Sequence, residues 1–230
     1  MAFTRNTFPL FDDATIDKLL DSYPLSAIAA SSKVQYATNG TTFDTALNVS
    51  SFATGAQQMA NNLYAETTFV CPAYWMAEAF TDKGRKAYKY QYSVPGAQHG
   101  ADVLAYFGPP YEPQGEDFAR AVRTMLGNFV IRDDPSISAE VAQGGDPDAN
   151  IEAAKAWPLF STASPLELNL NNTGGTLYSA DSTVPGLANI TQTKDPGLKN
   201  DFQAVDAFKR EGGRGKRCDF WRSVGSLVPE

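Results

Sequence analysis

The sequence predicts an α/β fold, rich in helix, in which a few strands form one edge of a larger sheet. Two features of the pattern carry that expectation. Apolar residues recur at helical spacing in several separate stretches, whereas strand-type runs are short and few, chiefly 87–94 and 166–170. Two or three strands are too few to close a barrel or to build a sandwich, so helices are expected to flank part of a wider sheet. The chain has 230 residues, 43% hydrophobic and 20% charged. That is a globular composition, long enough for one sizeable core or part of a larger one. There is no internal repeat and no long linker, so 1–230 reads as part of a single domain.

Taken in order, the chain opens abruptly. Phe3 and Phe8-Pro9-Leu10-Phe11 are apolar with no polar lead-in. A domain starting there would expose them, which suggests the interior of a longer chain. Asp12 or Asp13 can cap a helix by accepting from the free N–H groups of its first turn. Ile16, Leu19, Leu20 and Tyr23 follow at i, i+3, i+4, i+7, and Pro24 stops the helix. Residues 26–48 read mostly as loop, with a short helix at 25–30. Helices are expected at 52–64 and 67–80, the second carrying Cys71, with Gly84 suited to a left-handed C-terminal cap. The run 87–94 reads as a strand with Tyr88, Tyr90 and Tyr92 on one face.

Residues 102–107 suggest a short helical turn. Residues 116–130 form a helix with Phe118, Val122, Met125, Leu126 and Phe129 on one side. The segment 136–150 reads as loop, 150–156 as one or two helical turns, and 166–170 as a strand. Asn172-Thr173-Gly174-Gly175 has turn chemistry, after which 176–178 would pair back. Loop is expected over 179–196. From 200 onward mostly helix is expected, on Phe202, Val205 and Phe208, then a glycine break, then Phe220, Trp221, Val224 and Leu227.

Charge and composition exclude several functions. The formal net charge is −7, against the clustered cations that phosphate backbones require. The one basic cluster, Lys209-Arg210 to Arg214-Gly215-Lys216-Arg217, is short and broken by glycines. No apolar run reaches membrane-spanning length, and no signal-peptide core follows Met1. With one histidine and no C-x-x-C, no metal site and no cofactor are indicated. Cys71 and Cys218 fit either one long-range disulfide or two buried thiols. Sequons stand at Asn39, Asn48, Asn171 and Asn189. With the even cysteine count they tilt the reading toward a secreted, extracellular protein.

The sole histidine lies in Gly96-Ala97-Gln98-His99-Gly100-Ala101-Asp102, directly after the tyrosine-rich strand. Pro95 and Gly96 end the strand, and Gly100 frees the backbone just beyond the imidazole. An imidazole can accept and return a proton near neutrality, as nucleophilic ester chemistry requires. The bland alternative is a hydrogen-bonded loop histidine. A histidine base also needs a nucleophile and an orienting carboxylate, and the strained G-x-S-x-G turn of serine hydrolases is absent from this sequence.

Several blocks together resemble the C-terminal portion of a type-B carboxylesterase, the family of cholinesterases and secreted fungal lipases. Phe69-Val70-Cys71-Pro72 looks like the family's V-x-C-P helix. Gly96-x-x-His99-Gly100-x-Asp102, followed by Tyr106-Phe107-Gly108, looks like its H-G-x-E/D…F-G block. Asn128-Phe129, Asp134-Pro135, Trp157-Pro158 and Cys218-Asp219-Phe220-Trp221 follow in the family's order.

The resemblance implies the C-terminal part of an α/β-hydrolase fold. It implies that His99 is the catalytic base, with Gly100 and Asp102 supporting the site, and that Cys71 pairs with Cys218. Asp102 has an alternative as an ordinary first-turn carboxylate. It further implies an acyl-enzyme mechanism on an ester or lipid substrate. The family's G-E-S-A-G elbow and its acid segment are absent here. The expected partner is therefore the N-terminal part of the fold, and the chain alone is expected to be inactive. The alternative is a non-catalytic interaction module on a cholinesterase-like scaffold.

Overall fold

The computed structural model describes residues 2–23, 25, 55–81, 84–94, 97, 99–180 and 190–229. The short helix expected at 25–30, the loop of 31–48 and the sequons at Asn39, Asn48 and Asn189 lie outside them. The chain packs into two compact units, one drawn from 1–35, 44–76 and 207–230, the other from 36–43 and 77–206.

The first unit is helical. Helix α1 (Ala2–Thr7) leads into α2 (Asp13–Ser22), whose N-cap is Asp12, its carboxylate accepting from the Thr15 N–H at 2.8 Å. The expected apolar face is present, with Ile16 and Leu19 buried. The two helices expected at 52–64 and 67–80 are one continuous rod. Helix α3 (Gly55–Ala65) passes through a π-helical turn (Glu66–Val70) into α4 (Cys71–Ala79).

Phe8 and Phe11 are not exposed as the sequence suggested. Their rings stack 5.0 Å apart, and Phe8 lies 5.2 Å from the ring of Trp221. Trp221 belongs to α9 (Arg210–Ser223), and Cys218 on the same helix is joined to Cys71 by a disulfide.

The second unit holds a three-stranded mixed sheet in the order β1-β2-β3. β1 (Tyr90–Tyr92) runs parallel to β2 (Leu166–Ala180), and β2 pairs antiparallel with β3 (Ile190–Asp206). β1 is shorter than the 87–94 run, although backbone bonds extend it. Leu168 N–H donates to the Lys89 carbonyl and Ser93 N–H to the Leu170 carbonyl. Register places Tyr92, Leu170 and Phe202 side by side. Helix α6 (Glu116–Arg132) covers this face with Phe118, Val122 and Met125, all buried. Each such side chain contributes roughly 1.5–3 kcal/mol over its exposed form. Between β1 and α6 lies the short α5 (Val103–Phe107). After α6 come two short helices. α7 (Ala139–Gln143) is capped by Ser138, and α8 (Glu152–Lys155) follows it.

Four expectations fail for physical reasons, one of them the loop over 179–196, of which 190–196 is strand β3 paired with the far end of β2. Gly174-Gly175 is not a turn. β2 runs through it, with an irregularity in register between Gly174 and Thr176. Both glycines have positive φ, and a Cβ on Gly174 would stand 2.5 Å from the Gly197 carbonyl oxygen. The glycines serve close strand approach rather than reversal. The segment 200–206 is strand rather than helix. It pairs antiparallel with 166–172 of β2, and the i, i+3 match of Phe202 to Val205 is accidental. Residues 136–150 are not all loop, because Ser138 accepts from the Val141 N–H and starts α7.

The second face of the sheet is polar yet buried. Ser93 donates to Asn169 at 2.6 Å, and the Lys89 ammonium meets the Glu167 carboxylate at 2.6 Å with Glu167 fully buried. Glu167→Gln removes the counter-charge from a buried cation. Urea denaturation is expected to show a loss of roughly 3 kcal/mol, and a change below 1 kcal/mol would place this pair with surface ion pairs.

Candidate active site

His99 sits exposed in a turn over 99–102, between the end of the β1 strand and the start of α5. On its N-terminal side the Ala97 N–H donates to the Val94 carbonyl at 2.9 Å. On its C-terminal side the Val103 N–H donates to the Gly100 carbonyl at 3.1 Å. Gly100 has φ +81° with open space where a Cβ would go. The backbone conformation, not crowding, therefore asks for glycine there.

Asp102 is the residue before α5, but its side chain makes no capping bond. Its carboxylate instead accepts from the Tyr90 hydroxyl at 2.7 Å. The alternative reading of Asp102 as a plain helix-start carboxylate therefore does not describe its contacts. It ties the histidine turn to the middle of β1.

Tyr106 on α5 lies with its ring 6.2 Å from that of Tyr90. Burial, then the Tyr106 hydroxyl and the Asp102 carboxylate, push the Tyr90 phenol well above its ordinary range. Burial and the Asp102 charge push Tyr106 up to about 12, against a lowering by the neighbouring Tyr90 hydroxyl. Both hydroxyls are therefore neutral at neutral pH, and that of Tyr90 acts as a hydrogen-bonding strut rather than a base.

A second strut had no signal in the sequence. Gln114, 1% exposed, donates from Nε2 to the Ala101 carbonyl at 3.2 Å and to the Tyr92 hydroxyl at 2.8 Å. Its backbone is held in turn by Asn172 on β2, whose Nδ2 donates to the Pro113 carbonyl at 2.6 Å and to that of Gln114 at 3.1 Å. Nothing in the residue types of the loop 108–115 pointed at the histidine.

An apolar cavity of ≈ 370 Å³ opens on the same face of the sheet, walled by Tyr90, Tyr106, Met125, Phe129 and Trp157 among others. It shares Tyr90 with the strut behind His99. Among the described residues no cluster of His, Cys, Asp and Glu is arranged to hold a metal ion. No helix of the described residues is long and apolar enough to cross a membrane.

The structure brings His99, Gly100 and Asp102 together, as the sequence does. Cys71 and Cys218 are bonded to each other in the other unit. Asn171 is fully buried on β2. A comparison with protein-family models matches residues 17–183, more than half of the chain, to the model described as the carboxylesterase family.

Proposed function

Because the chain belongs to the carboxylesterase family, we propose that it is the histidine-bearing part of a serine carboxylic ester hydrolase. The observation that carries this reading is the family match across a turn that presents a single exposed imidazole, braced from behind by Asp102.

In the proposed reaction His99 takes the proton of a serine hydroxyl as that oxygen attacks the ester carbonyl. It then gives the proton to the departing alkoxide, leaving an acyl-enzyme. Water repeats the sequence in the second half, His99 again accepting a proton and returning it to the serine oxygen. Asp102 and its tyrosine strut position the turn. The serine and the acid come from sequence outside these 230 residues, since no G-x-S-x-G occurs within them. The substrate is a carboxylic ester or lipid. An extracellular setting agrees with the disulfide.

The test has two arms. The chain alone is expected neither to turn over a p-nitrophenyl ester nor to be labelled by a serine-directed phosphonate. Joined to a carboxylesterase N-terminal segment bearing a G-E-S-A-G elbow, it is expected to gain turnover. His99→Ala should then lower kcat by at least about 10³-fold, as removal of a base from a catalytic triad does. Turnover by the isolated chain that His99→Ala abolishes would overturn the reading, and so would a joined enzyme indifferent to His99→Ala.

A further inference from the structure

We propose that Gln114 is a positioning residue for His99, acting through the Ala101 carbonyl. Its functional meaning rests on the reading of His99 as the general base, but its structural claim does not.

The histidine turn is tied to β1 through Asp102 and Tyr90. That link and the local turn bonds leave the Ala101 carbonyl to be held from elsewhere, and Gly100 beside it sits at φ +81°, a conformation that favours glycine. Gln114 supplies the second link. Its Nε2 carries two hydrogens, and both are used: one on the Ala101 carbonyl, one on the Tyr92 hydroxyl. Its Oε1 accepts from the Tyr111 N–H at 3.3 Å. The side chain is thus fixed at both ends and nearly fully buried. A buried amide with each group engaged has one orientation, unlike a surface glutamine.

The chain of contacts runs further back. Asn172 holds the Pro113 and Gln114 carbonyls, and Asn172 sits on β2 opposite Asn200 of β3. The turn is therefore referenced to the long β2–β3 ribbon as well as to β1. Two struts from different strands fix both the tilt and the rotation of the 99–102 peptide plane, where one strut fixes only its distance. For a general base this matters because a shift of 1 Å in a reacting group can cost about 10²-fold in rate.

His99 is the sole histidine, so its imidazole gives one assignable NMR signal in the intact chain. Gln114→Met keeps the volume and removes all three hydrogen bonds. In that variant the His99 imidazole resonance is expected to move and broaden. Hydrogen exchange at the Val103 amide, which closes the turn onto Gly100, should rise about tenfold through local opening. Asn128→Ala serves as control. It removes a bond from Asn128 Nδ2 to the Ser136 carbonyl at 2.6 Å on the same unit, away from the turn, and should leave both readouts unchanged.

Should Gln114→Met fail to fold, Gln114→Glu decides. As a carboxylate it can still accept from the Tyr111 N–H, and from Tyr92 once that hydroxyl reverses from acceptor to donor, but it cannot donate to Ala101. An unmoved His99 signal with unchanged Val103 exchange, or equal movement in Asn128→Ala, overturns the proposal. In the joined enzyme Gln114→Met should lower kcat with KM little changed. Loss of ester turnover in the parent enzyme would instead count against the ester-hydrolase reading and leave the NMR result standing.

Discussion

Replacing Cys71 and Cys218 together by alanine is expected to lower the unfolding free energy by about 5 kcal/mol. The two cysteines are 147 residues apart, so their bond closes a loop of more than half the chain. In the chain-entropy account, that loop restricts the unfolded ensemble far more than the native one. Against a typical total of roughly 5–15 kcal/mol, the loss is large enough to unfold a marginal chain. Both residues are buried, at 0% and 3% exposure, so solvent reductants reach the bond only through local opening. Urea denaturation with and without prior reduction under denaturing conditions measures the effect. The double-alanine variant avoids introducing free thiols or buried hydroxyls. A difference below 1 kcal/mol would mean that the helices bearing Cys71 and Cys218 stay associated in the unfolded state, which would remove the entropic advantage.

The histidine turn of the candidate site is legible in the sequence, its braces are not, and the reason is physical. His99 and Gly100 stood out because residue type and position coincided: a lone imidazole, a strand before it, a glycine after it. Asp102 was visible, but its partner was not. Tyr90 read as one of three packing tyrosines, and nothing local tells a packing phenol from one whose hydroxyl reaches a carboxylate twelve positions on. Gln114 and Asn172 were invisible because their roles come from strand register, which brings β2 beneath the loop 108–115 only in three dimensions.

The same limit explains the errors in the fold. Helices with one apolar face, such as 13–22 and 116–132, were found within a few residues. The β2–β3 ribbon was missed over much of its length. Its glycines mimic a turn, and its outer half, including Thr173, Thr176 and Leu177, carries exposed side chains with no buried face to set a period. The disulfide pairing was correct because the family resemblance supplied it. Spacing alone had left two thiols equally open.

Glu66→Gln is expected to cost about 3–5 kcal/mol, and the reason lies in what it leaves behind. The Glu66 carboxylate, 2% exposed, accepts from Arg217 Nε at 2.8 Å and Nη2 at 2.7 Å, from Arg214 Nε at 3.2 Å and from the Tyr23 hydroxyl at 2.6 Å. Trp221 Nε1 in turn donates to the Tyr23 oxygen at 2.7 Å. One anion thus pairs with two buried guanidiniums in the first unit. Burial is the largest single influence on this carboxyl and pushes its pKa up. The Arg217 hydrogen bonds, the charges of Arg214 and Arg217 and the Tyr23 hydroxyl together outweigh it, and the pKa lies below the ordinary value of 4.5.

The sign of the pH dependence follows. Stability from Glu66 is fully present above the unfolded value of 4.5. It is lost as pH falls through the lower folded value, because the unfolded state then takes up the proton first. Tyr23 works the other way. Burial, with the Glu66 charge and hydrogen bond, raises its phenol, so its contribution holds below pH 10.0 and is lost as pH rises beyond it. Glu66→Gln should therefore be less stable at neutral pH and lose the Glu66 share of the acid-side decline expected of the parent below pH 4.5. Removing Arg217 in the Glu66→Gln background should cost much less than removing it from the parent, because the charge it leaves unpaired is already gone. Additive losses in that double-mutant cycle would show that the arginines find solvent when Glu66 is neutralised, and the buried network would then contribute packing rather than charge.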